Sequence, residues 1–425
     1  MKKHWDVVII GSGLAGYVAA NYLGKGNVDI LLVEKGKHFG GRAKTDTINN
    51  QYFNMGPHAL YKNGKAKGVL EELGIQLQGK APKVGGLLCN ESQNFYAPFS
   101  PFGILRTDLL NWRQRLEWIR AIFRLKNIKV DSLENKTFQQ WVLQISSAEP
   151  IQSLLFTLGR LATYSNEPNN VSAKVIVQHL QFVLGGVLYL DYGWQTIIDQ
   201  LHNQAITNRV QIQNQTNVKQ IKIIENNSFE VHLTNHIIHT KRILYTGNPQ
   251  ELYQLLPKEG TSHTHFLTDL VPIRAATLDI ALRELSQPTR LFAMGVDQPF
   301  YYSLHSKYAK LSKDGNSHVL HVLKYHQSTE EIDAKIVKQE LESFLERIQP
   351  GWRNYEITSR FLPNITVNQR LPRIGEECLF KKTETPIPNF FIAGDWASPN
   401  LILSEAAITT GKQSAMEILE GLDAN

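Results

Sequence analysis

Trp5-Asp6-Val7-Val8-Ile9-Ile10-Gly11-Ser12-Gly13-Leu14-Ala15-Gly16 opens the stretch that decides the fold, which runs on to Glu34. Trp5–Ile10 is a short apolar run of strand character. The glycines follow at once and open a small-residue helix, Tyr17-Val18-Ala19-Ala20-Asn21-Tyr22-Leu23. Val28-Asp29-Ile30-Leu31-Leu32-Val33 reads as a second strand that ends at Glu34. Strand, G-x-G-x-x-G, helix, strand, acid is the order a dinucleotide site requires. Gly11 permits the tight turn, Gly13 lets a pyrophosphate approach the backbone, and Gly16 lets helix and strand pack closely. Leu14 and Ala15 belong to the helix's first turn, whose free N–H groups and partial positive charge favour phosphate. Glu34, 18 residues past Gly16, is spaced to accept hydrogen bonds from both hydroxyls of an adenosine ribose. Its charge would repel a 2′-phosphate, so NADP is disfavoured.

The whole chain sets wider bounds. Its 425 residues are enough for two or three domains, and 42% hydrophobic with 20% charged residues is the balance of an ordinary globular protein. The net charge of +6 and pI of about 9.0 make it mildly basic. No aromatic–basic module points to nucleic acid. Cys89 and Cys378 are the only cysteines, too few for a disulfide scaffold or a zinc site. No run reaches the ~18 apolar residues of a transmembrane helix, and Asp6 with the glycine turn interrupts anything resembling a signal peptide. A cytoplasmic protein is expected.

After Glu34-Lys35 comes Gly40-Gly41-Arg42-Ala43, where Arg42 is placed to clamp a phosphate oxygen. Together, Gly11–Gly16, Glu34-Lys35 and Gly40–Ala43 resemble the N-terminal signature of flavin-dependent amine oxidases, phytoene desaturases and protoporphyrinogen oxidases. The resemblance implies FAD, bound non-covalently, because Cys378 has no context of flavin attachment. Gly56-Pro57-His58 is similar to a desaturase stretch that passes near the flavin, and Asn54 stands where relatives carry an acid. Tyr189–Leu201 resembles the family's return to the cofactor domain, with Trp194 in place of a glycine. The resemblance implies an adenine contact at Val218. It also implies a ribityl–pyrophosphate contact from Gly394-Asp395 and a closing helix of Glu405, Ala406 and Ala407 whose N-terminus faces the flavin.

The expected architecture is therefore α/β: a discontinuous, Rossmann-like FAD-binding domain with an inserted α+β substrate domain. The FAD-binding segments are 1–75, 187–255 and 356–425, and the substrate segments are 76–186 and 256–355. Leu109–Lys126 reads as an amphipathic helix rich in arginine, either a domain helix or a contact with the inner face of a membrane. His318, His321 and His326 do not form a metal site, since His318 and His321 point to opposite faces of a strand. Lys324 lacks the surroundings of an amine-oxidase lysine. No residue of the insert is identifiable as a catalytic base. The implied activity is hydride transfer from a small-molecule substrate to flavin, desaturase-like on an apolar or lipid-like compound. Two alternatives are an amine oxidase that passes electrons to O2 and releases H2O2, and a protein in which bound FAD serves structure or partner binding.

Overall fold

The computed structural model describes residues 2–257 and 264–423. β1 (His4–Ile10) and β2 (Ile30–Val33) lie parallel and adjacent within a seven-stranded sheet. All of β2 and the last four residues of β1 are buried, so both read as continuous apolar runs. Gln211–Gln213 extends the sheet beyond β2, and Ile237–Tyr245 pairs with the other side of β1. Ile243–Tyr245 also takes Phe390–Ile392 as a parallel neighbour, which joins segments from distant parts of the chain. The first half of the same strand pairs antiparallel with Ser228–Leu233, and that with Val218–Ile224. Ile237-Ile238 and Ile243–Thr246 read as separate strands in the sequence. Ile237–Tyr245 forms one nine-residue strand that serves different neighbours along its length.

α1 (Leu14–Leu23) is buried throughout, packed between this sheet, the helix Gln195–Thr207 and the closing helix Leu403–Asp423. Its small residues allow that crowding. A Cβ on Gly411 would lie 2.5 Å from the Ala15 carbonyl oxygen, so only glycine permits the crossing with the closing helix. α2 (Lys65–Glu72) follows and ends where Gly74 turns at φ +77°.

The second sheet also has seven strands. In spatial order they are Glu356–Asn368, Ile273–Leu282, His318–Tyr325, Phe300–Ser303, Phe292–Gly295, Leu87–Cys89 and Asn94–Tyr96. Residues 356–368 were expected in the cofactor domain. They pair instead with Ile273–Leu282, so the returning cofactor segment starts after Asn368. A strand's own residues set its faces but not its neighbour, which is why the boundary fell at 356. Residues 258–263 of the expected 256–355 segment lie outside the described residues.

One face of this sheet packs on the helix Ala334–Ile348. The other is covered by α3 (Pro101–Arg106), α4 (Trp112–Asn127) and the helices Phe138–Ile145, Glu149–Thr163 and Ala173–Leu184. α4 begins with a reciprocal cap. Gln114 N–H donates to the Asn111 side chain, and the Asn111 N–H donates to the Gln114 side chain, each at 3.0 Å. No helix among the described residues is long and apolar enough to cross a membrane.

Candidate active site

A cavity of about 1740 Å³ runs between the two sheets. Gly11, Gly13, Leu14, Ala15, Glu34, Lys35, Gly41, Arg42, Val218, Gly394 and Asp395 line one end of it. Gly11 leaves β1 at φ +108°, a conformation other residues rarely adopt. A Cβ on Gly16 would sit 2.0 Å from the Gly11 carbonyl oxygen, so Gly16 serves helix–strand packing and does not line the cavity. A Cβ on Gly13 would meet nothing within 4 Å and project into open space at the N-terminus of α1. Glu34 is fixed in advance. Its Oε2 accepts from the Ser12 N–H (3.0 Å) and Oγ (2.7 Å), and its Oε1 from the Gly36 N–H (2.7 Å). An open glycine cradle at a helix N-terminus beside an oriented carboxylate fits the ADP half of a dinucleotide. Lys35 borders the same space but is paired with Glu251 at 2.6 Å.

Arg42, expected on a phosphate oxygen, is bonded to Asp395 through Nη1 (2.5 Å) and Nη2 (2.7 Å), and Nη1 also donates to the Val367 carbonyl. Asp395 accepts in addition from the Gln369 N–H at 2.9 Å. Burial opposes the Arg42 charge, but Asp395 outweighs it and holds the guanidinium above its usual pKa. The two expected phosphate-side contacts are therefore one unit.

Gly56, Glu405 and Ala406 do not line the cavity. Gly56 turns at φ +84° and delivers Pro57 and His58 to the wall. Glu405 is fully buried, and its Oε2 accepts from the Ala66 N–H (3.0 Å) at the start of α2. Burial raises its carboxyl pKa. Ser404 and Ala407, three apart on one helical face, line the cavity with Leu403. At about 100° per residue, Glu405 and Ala406 turn away from that face. His58 Nδ1 lies 3.0 Å from the Gly56 carbonyl, and its ring is 5.1 Å from that of Trp194. Trp194 is buried, and its backbone N–H donates to Asn54 Oδ1. Asn54 thus holds the backbone at position 194, whatever side chain stands there.

The far end of the cavity is lined by apolar side chains such as Phe99, Ile104, Trp118, Leu158, Leu161 and Phe292. Tyr164, Tyr189, Tyr301, Tyr325, Ser303 and His305 are among its polar side chains, and Lys83 lies beside Val84 in the lining. In the sequence the apolar residues of the helical insert read as core or cavity wall and Tyr189 as the start of the return to the cofactor domain; Tyr164, Tyr301, Ser303, His305 and Tyr325 carried no role. His305 stacks on Tyr189 (centroids 3.8 Å apart) and meets the His321 ring edge-on at 4.6 Å. Behind them His321 Nδ1 is 2.7 Å from Asp279 Oδ1, and Arg360 Nη2 is 2.5 Å from Asp279 Oδ2. Burial alone would raise the Asp279 pKa, yet His321 and Arg360 outweigh it and keep the carboxyl below its usual range. Burial lowers the pKa of His58 and His305 and raises those of Tyr164, Tyr189, Tyr301 and Tyr325. This wall therefore presents neutral imidazoles and protonated phenols at neutral pH. The carboxylates lining the cavity among the described residues, Glu34, Glu251 and Asp395, are all at the cofactor end.

Neither cysteine lines the cavity: Cys89 is buried in its strand and Cys378 is exposed. Lys324 is bound to Glu330 and Glu340 and is not at the wall. No group of three or more histidine, cysteine and carboxylate residues among the described residues could hold a metal ion.

Known proteins resemble this chain in partial stretches of sequence and, among solved structures, in fold. A carotenoid 3,4-desaturase of Haloarcula japonica is 40% identical over 52 residues, 12% of this chain and 10% of its own. A phytoene desaturase of Neurospora crassa is 22% identical over 167 residues, 36% of this chain and 28% of its own. The chain thus spans only a small part of the curated relatives it matches; for a UDP-galactopyranose mutase of Mycoplasma genitalium the share is 16%. Solved structures share the fold over nearly the whole length. An oxidoreductase from Methanosarcina mazei superposes with a TM-score of 0.76 at 17% identity, covering 98% of this chain and 100% of that one. A cyclohexylamine oxidase from Brevibacterium oxydans gives 0.75 at 14%, covering 99% of each chain. The family model for flavin containing amine oxidoreductase matches residues 14–419, so the chain belongs to that family and is an FAD-dependent oxidoreductase.

Proposed function

We propose that this protein oxidises an apolar, uncharged substrate by hydride transfer, in the manner of a desaturase. The observation that carries this is the far end of the cavity: an apolar wall with neutral tyrosines and histidines and no lining carboxylate to hold a cation. The flavin, when bound, supplies the hydride acceptor. The chain's own residues bind and orient. The N-terminus of α1 and Glu34 take the ADP half. The closing helix sets Leu403 and Ser404 at the wall, where its N-terminal dipole favours negative charge on a reduced ring. Phe99, Leu158, Leu161 and Phe292 exclude water and hold apolar surface, while Tyr164 and Tyr301 orient it. The names of two relatives, a carotenoid desaturase and a phytoene desaturase, support the apolar substrate class.

The tyrosine-rich wall favours a second reading, an amine oxidase, because aromatic faces attract alkylammonium groups. Anaerobic mixing of the flavin-loaded protein with each class separates the two. Under the first reading a polyunsaturated hydrocarbon in detergent bleaches the flavin absorbance and amines do not. Rapid bleaching by primary amines, with peroxide released in air, would establish the second. A flavin that no donor reduces would leave binding as its role.

A further inference from the structure

α4 carries apolar residues on two faces. Trp118, Ala121 and Leu125 are buried in the core. Trp112, Leu116, Ile119 and Phe123 fall within about 60° of one another at ~100° per residue, and all four are exposed, Trp112 at 70% and Phe123 at 71%. α3 adds Phe102 and Leu105, each 62% exposed. Exposed aromatic and aliphatic side chains grouped in this way mark a contact surface.

Its charge setting is specific. Arg113, Arg120 and Arg124 flank the stripe on one side of the helix, and Arg115 and Lys126 on the other. The Arg106 guanidinium lies 4.8 Å from the Phe102 ring centroid, and that of Arg115 lies 4.6 Å from Trp112. The one acid on α4, Glu117, accepts a hydrogen bond from Ser146, and Asp108 lies in the connecting turn. The patch is also continuous with the cavity. Pro101 and Ile104 of α3, Ile119 and Ile122 of α4, and the exposed Val84 all line it, so its apolar end opens inside the patch.

We propose that α3 and α4 seat this protein on an anionic lipid bilayer, and that the apolar substrate enters the cavity from the lipid between Ile104 and Ile119. Tryptophan and phenylalanine suit the headgroup level, and Arg113, Arg120 and Arg124 reach lipid phosphates while their stems cover apolar surface; Arg115 is held by the Thr107 and Leu110 carbonyls. A second copy of the chain is the poorer occupant. Two such patches related by a two-fold axis would bring both arginine rims together, whereas anionic lipid neutralises them. The docking surface stands on the patch itself; delivery of substrate through it rests on the apolar-substrate reading above.

Cosedimentation of the flavin-loaded protein tests the docking. Phosphatidylcholine vesicles are compared with the same vesicles carrying phosphatidylserine, at low and high salt. Binding is expected only with phosphatidylserine and is expected to fall with salt. Arg113→Gln, Arg120→Gln and Arg124→Gln should each weaken it about fivefold. Trp112→Ser with Phe123→Ser should abolish it while flavin content stays unchanged, which shows that these variants fold. No binding to either vesicle, or binding that ignores the arginine changes, overturns the proposal. So does a concentration-dependent dimer that the Trp112→Ser, Phe123→Ser variant loses, if vesicles bind neither protein. Vesicle binding without oxidation of any apolar compound would fail the functional reading and leave the docking intact. Turnover of such a compound in detergent without vesicle binding would do the reverse.

Discussion

Arg42 and Asp395, 353 positions apart, form a two-bonded ion pair at 2.5 and 2.7 Å at the cofactor end of the cavity. The pair joins the loop after β2 to the turn after Phe390–Ile392, and so clasps together the first and last segments of the flavin-binding half. Its asymmetry matters: the Arg42 side chain is 40% exposed and that of Asp395 only 5%. Removing the arginine leaves a buried carboxylate with the Gln369 N–H as its remaining partner.

Arg42→Ala is therefore expected to cost about 1–3 kcal/mol, less than breaking a fully buried pair, and to release flavin. Asp395→Asn, which keeps the shape but not the charge, should do the same more mildly. Thermal unfolding and the flavin-to-protein absorbance ratio after gel filtration measure both effects. Full flavin content and an unchanged Tm in Arg42→Ala would show that the clasp contributes nothing.

Gly13 and Gly16 sit three residues apart in one motif and are expected to fail differently. A methyl on Gly13 meets no protein atom within 4 Å, so Gly13→Ala should fold normally and lose flavin through blocked access to the backbone. A methyl on Gly16 would meet the Gly11 carbonyl oxygen at 2.0 Å. Gly16→Ala should destabilise even the flavin-free protein by about 1–3 kcal/mol or more. Urea unfolding of both apoproteins, with flavin titration of each, distinguishes the cases, and the opposite pattern would reverse the two assignments.

His179 predicts the response to acid. It is fully buried, its Nε2 accepts from the Ile402 N–H at 3.3 Å, and burial pushes its pKa from 6.5 down to about 3. The unfolded chain takes up this proton below about pH 6.5 and the folded chain does not. The stability linked to His179 is thus complete above that value and drains away as pH falls toward about 3. Between about pH 7 and 5 the loss from this group is about 2 kcal/mol. His179→Gln, whose carbonyl can still accept from Ile402, should flatten that part of the curve in urea unfolding. Identical pH profiles for the two proteins would contradict the buried neutral state.

The cofactor half was legible because its chemistry is local in sequence. Gly11–Gly16 and Glu34 lie within one strand–turn–helix–strand unit, and Gly11 and Gly16 declare a positive φ and a close approach, whereas the partner of Arg42 lies 353 positions away. Glu405 was misread because a motif fixes residue types and not helix rotation; one step of about 100° turns its carboxylate from the flavin side to the start of α2. The polar groups of the far wall were not legible as a wall. Tyr164, Tyr189, Tyr301, His305 and Tyr325 come from separate segments, and only tertiary pairing brings them together, such as Tyr301 opposite Leu323 between two strands. Leu109–Lys126 was legible as a helix, but which apolar residues it buries depends on where the core lies. The segment 356–368 was not legible as a member of the second sheet, because its own residues do not name its neighbour.

The glycine contact between the closing helix and Ala15 bears on how the protein is made. α1 ends at Leu23 and its partner begins at Leu403, 380 residues later. At ribosomal rates of roughly 5–20 residues per second, α1 waits some 20–80 s for the helix that completes its burial. Through that interval its apolar surface stays incompletely covered and the last wall of the flavin site is missing. Flavin capture therefore cannot be completed until Asp395 and Leu403–Asp423 have been made, however early the glycine turn folds.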